Sequence, residues 1–155
     1  MTHETVHLAV LGDGVVEYLE KLFGPNAAKS PSRVGATLPA NCSALGKAML
    51  AFSDRPVQHQ ACTRLDRLTP YSITSPSVLC EQLQTIRSTH VAFDREESNL
   101  GLVCVAAPVF DPQHQVVAAL SVSGAVHRYR PDRVAHSVRA AAERVSQALA
   151  HQTAA

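Results

Sequence analysis

Two short segments contain residue types that often carry out chemistry in enzymes. The first reads HETVH from His3 to His7, and the second reads NCSALGK from Asn41 to Lys47. Two histidines beside a glutamate are typical of zinc hydrolases, whereas a hydroxyl and a lysine at a helix start occur in phosphate loops and serine acylases. Each of these chemistries also requires a fixed spacing and backbone conformation, so the spacing decides between them.

The HETVH segment does not have the sequence context of a zinc helix. Two histidines four residues apart reach one metal ion when they share a helix face. Here Val6, Leu8 and Val10 recur at every second position, which predicts a strand. Histidines four apart on a strand lie roughly 13 Å from each other, and no third ligand follows at a suitable spacing. We therefore interpret the match as a coincidence and predict no metal site.

The NCSALGK segment departs from both motifs that it resembles. A phosphate loop needs glycine in place of Asn41 and Ser or Thr in place of Ala48. The serine-acylase pattern needs serine and lysine three positions apart, whereas Ser43 and Lys47 are four apart. What remains is a helix start, whose first amides lack intrahelical partners and attract anions. An ordinary capped helix and an anion-binding helix start are both compatible with the sequence.

Polar residues also interrupt three segments with strand-like patterns. Cys104, inside an apolar run, is either a small buried side chain or a nucleophile that needs a nearby base. Asp94 needs hydrogen-bond partners if it points inward. Ser121 and Ser123 flank one valine and therefore share a face of their strand, which is either solvated or lines a polar pocket.

A catalytic triad can be drawn from Ser121, His127 and Asp94, but the G-x-S-x-G nucleophile elbow is absent. A small hydrolase or thiol enzyme that uses Cys104 or Ser121 with Asp94 and a histidine is the alternative to a binding domain. Such an enzyme would turn over a substrate and would be labelled at one residue by an acyl or thiol-reactive probe.

The apolar periodicity predicts an α+β domain built on an antiparallel sheet. One hairpin turns at Gly12–Gly14, and a second antiparallel pair turns at Asp111–His114. A further strand is expected at Arg33–Leu38, followed by a helix through Ala44, Leu45, Ala48, Met49 and Phe52 that is capped by Asn41 or Ser43, and by a short helix after Asp54. A third helix should start at Ser75–Pro76, with Leu79, Leu83 and Ile86 on one face, and the strand segment VAFDREE with its charged end comes after it. A final helix is expected from Pro131, with an apolar face of Val134, Val138, Ala141, Val145 and Leu149.

Composition and charge narrow the class of protein. The chain has 155 residues, 46% of them hydrophobic and 17% charged, which suits one globular domain, and we see no second domain or internal repeat. The formal net charge of +1 gives no basis for expecting this chain itself to hold nucleic acid. No apolar run is long enough for a membrane span, and four widely spaced cysteines fit reduced thiols. We expect a cytoplasmic protein.

Four ordered segments together resemble the effector-binding domain of IclR-type bacterial transcription regulators. They are RVGATLPANCSALGKAMLAF, RLTPYSIT, FDREESNLGLVCVAAPVFD and VVAALSVSG, and the resemblance extends from about Thr5 to Leu149. It implies a GAF-like α+β fold, with a curved antiparallel sheet flanked by helices, that binds a small organic or aromatic acid and assembles into dimers or tetramers. In that family a winged helix-turn-helix domain precedes this one and binds DNA. We expect residues 1–155 to be a single domain that lacks this DNA-binding part.

The resemblance also implies which residues contact the effector. Backbone amides of Ala44 and Leu45 would meet its carboxylate. Polar, thiol and apolar lining would come from Asp94, Cys104 and Leu102, and hydrogen bonds from Ser121 and Ser123. The family often has histidine at position 41 and threonine at position 43, where this chain has asparagine and serine.

The sequence thus predicts a non-enzymatic sensor domain that needs no cofactor or metal. Its partners would be a small organic acid, further copies of the same chain, and DNA only through the missing N-terminal domain, with no membrane contact. A third possibility is an assembly module whose pocket no longer binds a ligand.

Overall fold

A curled antiparallel sheet of six strands forms the centre of the domain, and helices cover both of its faces. The computed structural model describes residues 3–153. The strands are β1 (Thr5–Gly12), β2 (Val15–Leu22), β3 (Thr37–Pro39), β4 (Ala92–Arg95), β5 (Leu102–Phe110) and β6 (Val116–Ala125). The helices are α1 (Ala44–Leu50), α2 (Arg55–Thr63), α3 (Pro76–Thr89) and α4 (Pro131–Thr153), and a 3-10 turn at Ala40–Cys42 leads into α1. The predicted α+β class with an antiparallel sheet is confirmed.

The strand order is β3-β2-β1-β6-β5-β4, with antiparallel pairing throughout. Both predicted turns join neighbouring strands. In the β1–β2 turn, Asp13 and Gly14 both have positive φ, at 49° and 79°, which is the conformation that matches the twist of a two-residue hairpin. Because β1 pairs with β6, the first hairpin and the last one form a continuous surface.

One predicted strand has different bounds in the structure, and one residue predicted for the apolar face of α4 is less buried than its neighbour. A strand was expected over Arg33–Leu38, but β3 covers only Thr37–Pro39. Gly35 has φ of +78° and its amide donates to the carbonyl of Tyr18, so the chain turns there before it pairs with β2. On α4 the expected core residue Ala141 is half-buried, and its neighbour Ala142 is buried against β5 and β6 with Val138.

Helix α1 packs on one face of the sheet, and α2 and α3 pack against α1 and against each other. The apolar stripe of α3 is buried as predicted, at Leu79, Leu83 and Ile86. Helix α1 is buried along its whole length because it lies between the sheet and α3. A Cβ atom at Gly46 would lie 2.2 Å from the carbonyl oxygen of Ala40, so only glycine lets the 3-10 turn approach the helix this closely.

Helix α4 covers the opposite face of β5 and β6 and forms a second apolar cluster. The sheet therefore separates two cores, and the inward-facing polar residues lie on the α1 side. Among residues 3–153, no helix is long and apolar enough to span a membrane.

Candidate functional site

A cavity of about 150 Å³ lies between the start of α1 and the sheet. All six strands contribute to its wall, together with the loop at Ser30–Ser32 and the start of α1. Six of the seven residues expected at the effector site line it: Leu45, Asp94, Leu102, Cys104, Ser121 and Ser123. Ala44 is buried at the first position of α1 and does not line the cavity; the expectation for this residue concerned its backbone amide.

The register of the sheet brings the polar side chains together. Cys104 is paired with Asp94 on one side and with Ser123 on the other, and Ser121 pairs with Ala106 two residues along β5. Side chains at directly paired positions have Cβ atoms about 5 Å apart. The two serines face the same side, as their spacing predicts, and that side is the cavity rather than solvent.

Ser121 has an unused hydroxyl group. The side chain is fully buried, and among residues 3–153 its Oγ atom has no hydrogen-bond partner. The thiol of Cys104 is near enough for Ser121 to affect its pKa, yet the two groups do not form a well-aligned hydrogen bond. A buried hydroxyl without a partner costs free energy, so a ligand acceptor at this position would stabilise the domain.

Asp94 is held rigidly at the edge of the cavity. Its Oδ1 atom accepts hydrogen bonds from the amides of Glu97 (2.7 Å) and Ser98 (3.3 Å), and Oδ2 accepts one from the Ser98 hydroxyl (2.5 Å). Burial raises the pKa of Asp94 to about 6, and the negative charge of Glu97 also raises it. The hydrogen bonds from Ser98 and Glu97 and the positive charge of Lys47 lower this pKa and offset part of the rise. This carboxyl group therefore changes its charge close to neutral pH.

Ser43 caps α1, and Asn41 does not. The Ser43 Oγ atom accepts from the amide of Gly46 at 2.9 Å. Asn41 instead donates to the carbonyl groups of Asp66 and Ile73, at 2.9 and 3.0 Å, and so fixes the segment before α3. The sequence allowed either Asn41 or Ser43 as the cap of α1, and Ser43 is confirmed.

Lys47 forms an ion pair that the sequence analysis missed. Its side chain is fully buried, with Nζ 2.6 Å from Glu97 Oε2 and 2.8 Å from Gln82 Oε1. The pair joins α1 to the turn that also presents Asp94. A lysine among small apolar residues of a helix is a signal of such a buried pair, but its partner lies 50 positions away and cannot be identified from the spacing.

Two ring side chains of the cavity wall were also missed. His7 and Tyr18 lie on β1 and β2 with ring centroids 5.1 Å apart, and His7 Nε2 lies 2.8 Å from Ser32 Oγ. Burial, assisted by the charge of Lys21, lowers the pKa of His7 to about 4, so the ring is neutral at pH 7. The alternation of β1 places His7 on the inward face with Thr5 and Ala9, which is the signal that was available.

The alternative triad is not assembled. His127 is exposed in the turn after β6 and does not line the cavity that contains Ser121 and Asp94. Burial also raises the pKa of the Cys104 thiol far above its usual range, with a further contribution from Asp94, which disfavours the thiolate that a nucleophile requires.

In the HETVH segment, His3 is exposed while His7 is buried on a strand, and residues 3–153 contain no group of three or more His, Cys, Asp or Glu side chains suited to one metal ion.

Comparisons with known proteins agree on one family. The family model described as bacterial transcriptional regulator IclR C-terminal matches residues 1–147. The transcriptional regulator KdgR of Escherichia coli is 34% identical over 136 residues, which cover 86% of this chain and 52% of KdgR. This chain spans about half the length of the curated relatives that it matches.

Solved structures show the same fold. The crystal structure of the Thermotoga maritima IclR has a TM-score of 0.89 to this chain at 31% sequence identity, and the match covers 96% of this chain and 62% of that one. The inducer-binding domain of a PobR double mutant from Acinetobacter, in complex with 3-hydroxybenzoic acid, has a TM-score of 0.80 at 28% identity and covers 92% of this chain and 87% of that one. The chain thus belongs to the IclR family of bacterial transcriptional regulators and corresponds to the C-terminal domain of that family.

Proposed function

We propose that this domain senses a small organic acid and that the acid binds in the 150 Å³ cavity at the start of α1. The observation that carries the proposal is the fully buried Ser121 hydroxyl, which has no partner among residues 3–153 and lines that cavity. Ligand sites typically combine apolar walls with a few convergent polar groups, and this cavity has both.

The chemistry of the lining suggests how an acid would be held. Ser121 and Ser123 donate hydrogen bonds to its carboxylate, and the amide of Leu45, a first-turn residue of α1 that lines the cavity, faces the same anion. Leu102 and the side chain of Leu45 take the apolar part. Asp94 either contacts a hydroxyl or keto end, or is protonated beside the bound anion.

The cavity volume favours a small acid. Sites for drug-sized ligands are about 300–1,000 Å³, whereas this cavity is about 150 Å³. The related PobR domain was crystallised with 3-hydroxybenzoic acid, so both aromatic acids and short keto or hydroxy acids belong in a screen. We expect acids of three to five carbons to bind more tightly than aromatic acids.

Regulation would follow from a difference in affinity between two assemblies. A ligand shifts an equilibrium only by the difference in its binding to the two states. In the full-length regulator, an N-terminal DNA-binding domain would respond to the arrangement of dimers or tetramers formed by this domain.

Titration calorimetry with keto, hydroxy and aromatic acids tests the proposal. We expect saturable, reversible binding without turnover, and a loss of roughly tenfold or more in affinity for Ser121→Ala, since one hydrogen bond to a charged group contributes about 1.5–3 kcal/mol. Ser88→Ala is the matched control, because Ser88 is exposed on α3 and its hydroxyl donates to a carbonyl of its own helix.

Three results would contradict the proposal. If no acid binds, the domain is an assembly module. If Ser121→Ala and Ser88→Ala bind an acid equally well, the ligand lies elsewhere. Turnover of a substrate, with covalent labelling of Cys104 or Ser121, would instead indicate an enzyme.

A further inference from the structure

Two cysteines outside the cavity lie side by side on different helices. Cys62 is in the last turn of α2 and Cys80 is in the second turn of α3, 18 positions later, with their sulfur atoms 3.6 Å apart. Both are free thiols. A disulfide bond is about 2.0 Å long, so a small movement of the two side chains would bring the sulfur atoms to bonding distance.

The pair is accessible from solvent. Cys80 is exposed and Cys62 is half-buried. Both open into a surface groove of about 350 Å³ that also contains Arg55, His59 and Arg87. Burial raises the pKa of Cys62 to about 11, and the neighbouring Cys80 adds to this. The two thiols therefore differ in their access to solvent: Cys80 is exposed to an oxidant, whereas Cys62 lies half-buried beside it.

We propose that Cys62 and Cys80 form a reversible disulfide when the protein meets a peroxide. The thiolate of Cys80 attacks one oxygen of hydrogen peroxide, which gives a sulfenic acid and releases hydroxide. The sulfur of Cys62 then attacks the sulfur of Cys80, and the hydroxyl group leaves as water with the proton from Cys62. In sum, two thiols and one peroxide give one disulfide and two waters, and the two sulfurs supply the two electrons.

The location gives this bond a structural consequence. Gln58 of α2 donates to the carbonyl of Leu50 at 2.9 Å, and Arg87 of α3 donates to the carbonyl of Ala51 at 2.7 Å and to Gln58 Oε1 at 2.8 Å. Helices α2 and α3 thus jointly hold the C-terminal end of α1. A disulfide between them would lock this frame and would remove chain entropy from the unfolded state.

Mass spectrometry of the whole chain, after treatment with an equimolar amount of hydrogen peroxide, tests the proposal. We expect a monomer lighter by about 2 Da, the two hydrogens lost, and a peptide map in which Cys62 is linked to Cys80. The Tm should rise by roughly 5–10 °C, since the disulfide removes chain entropy from the unfolded state and each kcal/mol shifts Tm by a few degrees. Dithiothreitol should reverse both changes.

Single variants supply the controls. Cys62→Ser and Cys80→Ser should each abolish the linked peptide and the rise in Tm. Cys42→Ser should retain both, because Cys42 is buried and its thiol donates to the carbonyl of Asp66. The proposal is overturned if the wild-type chain gives only Cys80 sulfinic acid, only links between two chains, or links that involve Cys42 or Cys104. It does not depend on the identity of the effector, and either proposal can fail alone.

Discussion

Asp94 determines how the charge of the cavity varies with pH. Its pKa is raised to about 6, chiefly by burial, so the carboxyl group is neutral below this pH and negative above it. A raised carboxyl pKa also means that the unfolded chain loses this proton first as pH rises. The contribution of Asp94 to the free energy of unfolding therefore falls between about pH 4 and pH 6.

If a carboxylate binds beside Asp94, its affinity should depend on this proton. We expect the Kd of an organic acid to be constant below about pH 6 and to rise roughly tenfold per pH unit above it, because binding then requires uptake of a proton. Asp94→Asn should bind with little dependence on pH. Calorimetry between pH 5 and pH 8 measures both. A wild-type Kd that does not change over this range would show that Asp94 contacts a neutral part of the ligand.

At this scale, side chains that share a face could be predicted and long-range partners could not. Ser121 and Ser123 were placed on one face because strand periodicity is fixed at two residues. The ion pair of Lys47 with Glu97 was missed, because nothing in local sequence says which distant carboxylate a buried lysine meets. The assignment of Asp94, Cys104 and Leu102 to a site came from family resemblance rather than from their spacing.

Helix α1 depends on its glycine for its position. A Cβ atom at Gly46 would lie 2.2 Å from the carbonyl oxygen and 2.4 Å from the Cα atom of Ala40. Both are backbone atoms, so the contact cannot be relieved by a side-chain rotation. The glycine of the NCSALGK segment is therefore explained by helix packing and not by phosphate binding.

We expect Gly46→Ala to destabilise the domain by about 1–3 kcal/mol, the usual cost of overpacking, although alanine is the better helix former. Gly12→Ala is the matched control, because a Cβ atom there meets nothing within 4 Å and the residue has no positive φ. Urea unfolding of the two variants measures the difference. Equal stability of both would mean that the 3-10 turn at Ala40–Cys42 moves freely away from α1.

The elements with strong periodicity or clear turn residues could be predicted from sequence. The β1–β2 and β5–β6 hairpins, α1, α3 and the start of α4 are at their expected places. The strand expected at Arg33–Leu38 is present only at its end, in β3 at Thr37–Pro39, because Gly35 places a turn in the same segment. Short strands depend on what lies beside them, and local sequence does not contain that information.

Across the whole molecule, the sheet divides the proposed sensing side from the opposite core. The cavity and α1 lie on one face, with α2 and α3 packed on α1, whereas α4 packs on the other face of β5 and β6. A ligand in the proposed cavity would contact α1 and the sheet at once, because residues of both line it.

Hydrogen exchange should show this asymmetry. With an acid at about 100 times its Kd, which corresponds to about 2.7 kcal/mol of linkage, we expect amides of α1 and of β4–β6 around the cavity to exchange more slowly. Amides of α4 that exchange by local opening should change little. Mass-spectrometric exchange with and without the acid measures the two regions. Equal slowing in both would indicate global stabilisation by a ligand bound at another place.

The ion pair between Lys47 and Glu97 influences the pKa of Asp94 from outside the cavity. Both charges lie within range of Asp94, where Lys47 lowers its pKa and Glu97 raises it, yet neither side chain lines the cavity. Homologous domains could thus diverge in the acidity at which they respond while every contact residue stays the same. For the design of biosensors, substitutions at Glu97, or at Gln82, the other hydrogen-bond partner of Lys47, offer a way to change the working pH while the residues that line the cavity are kept.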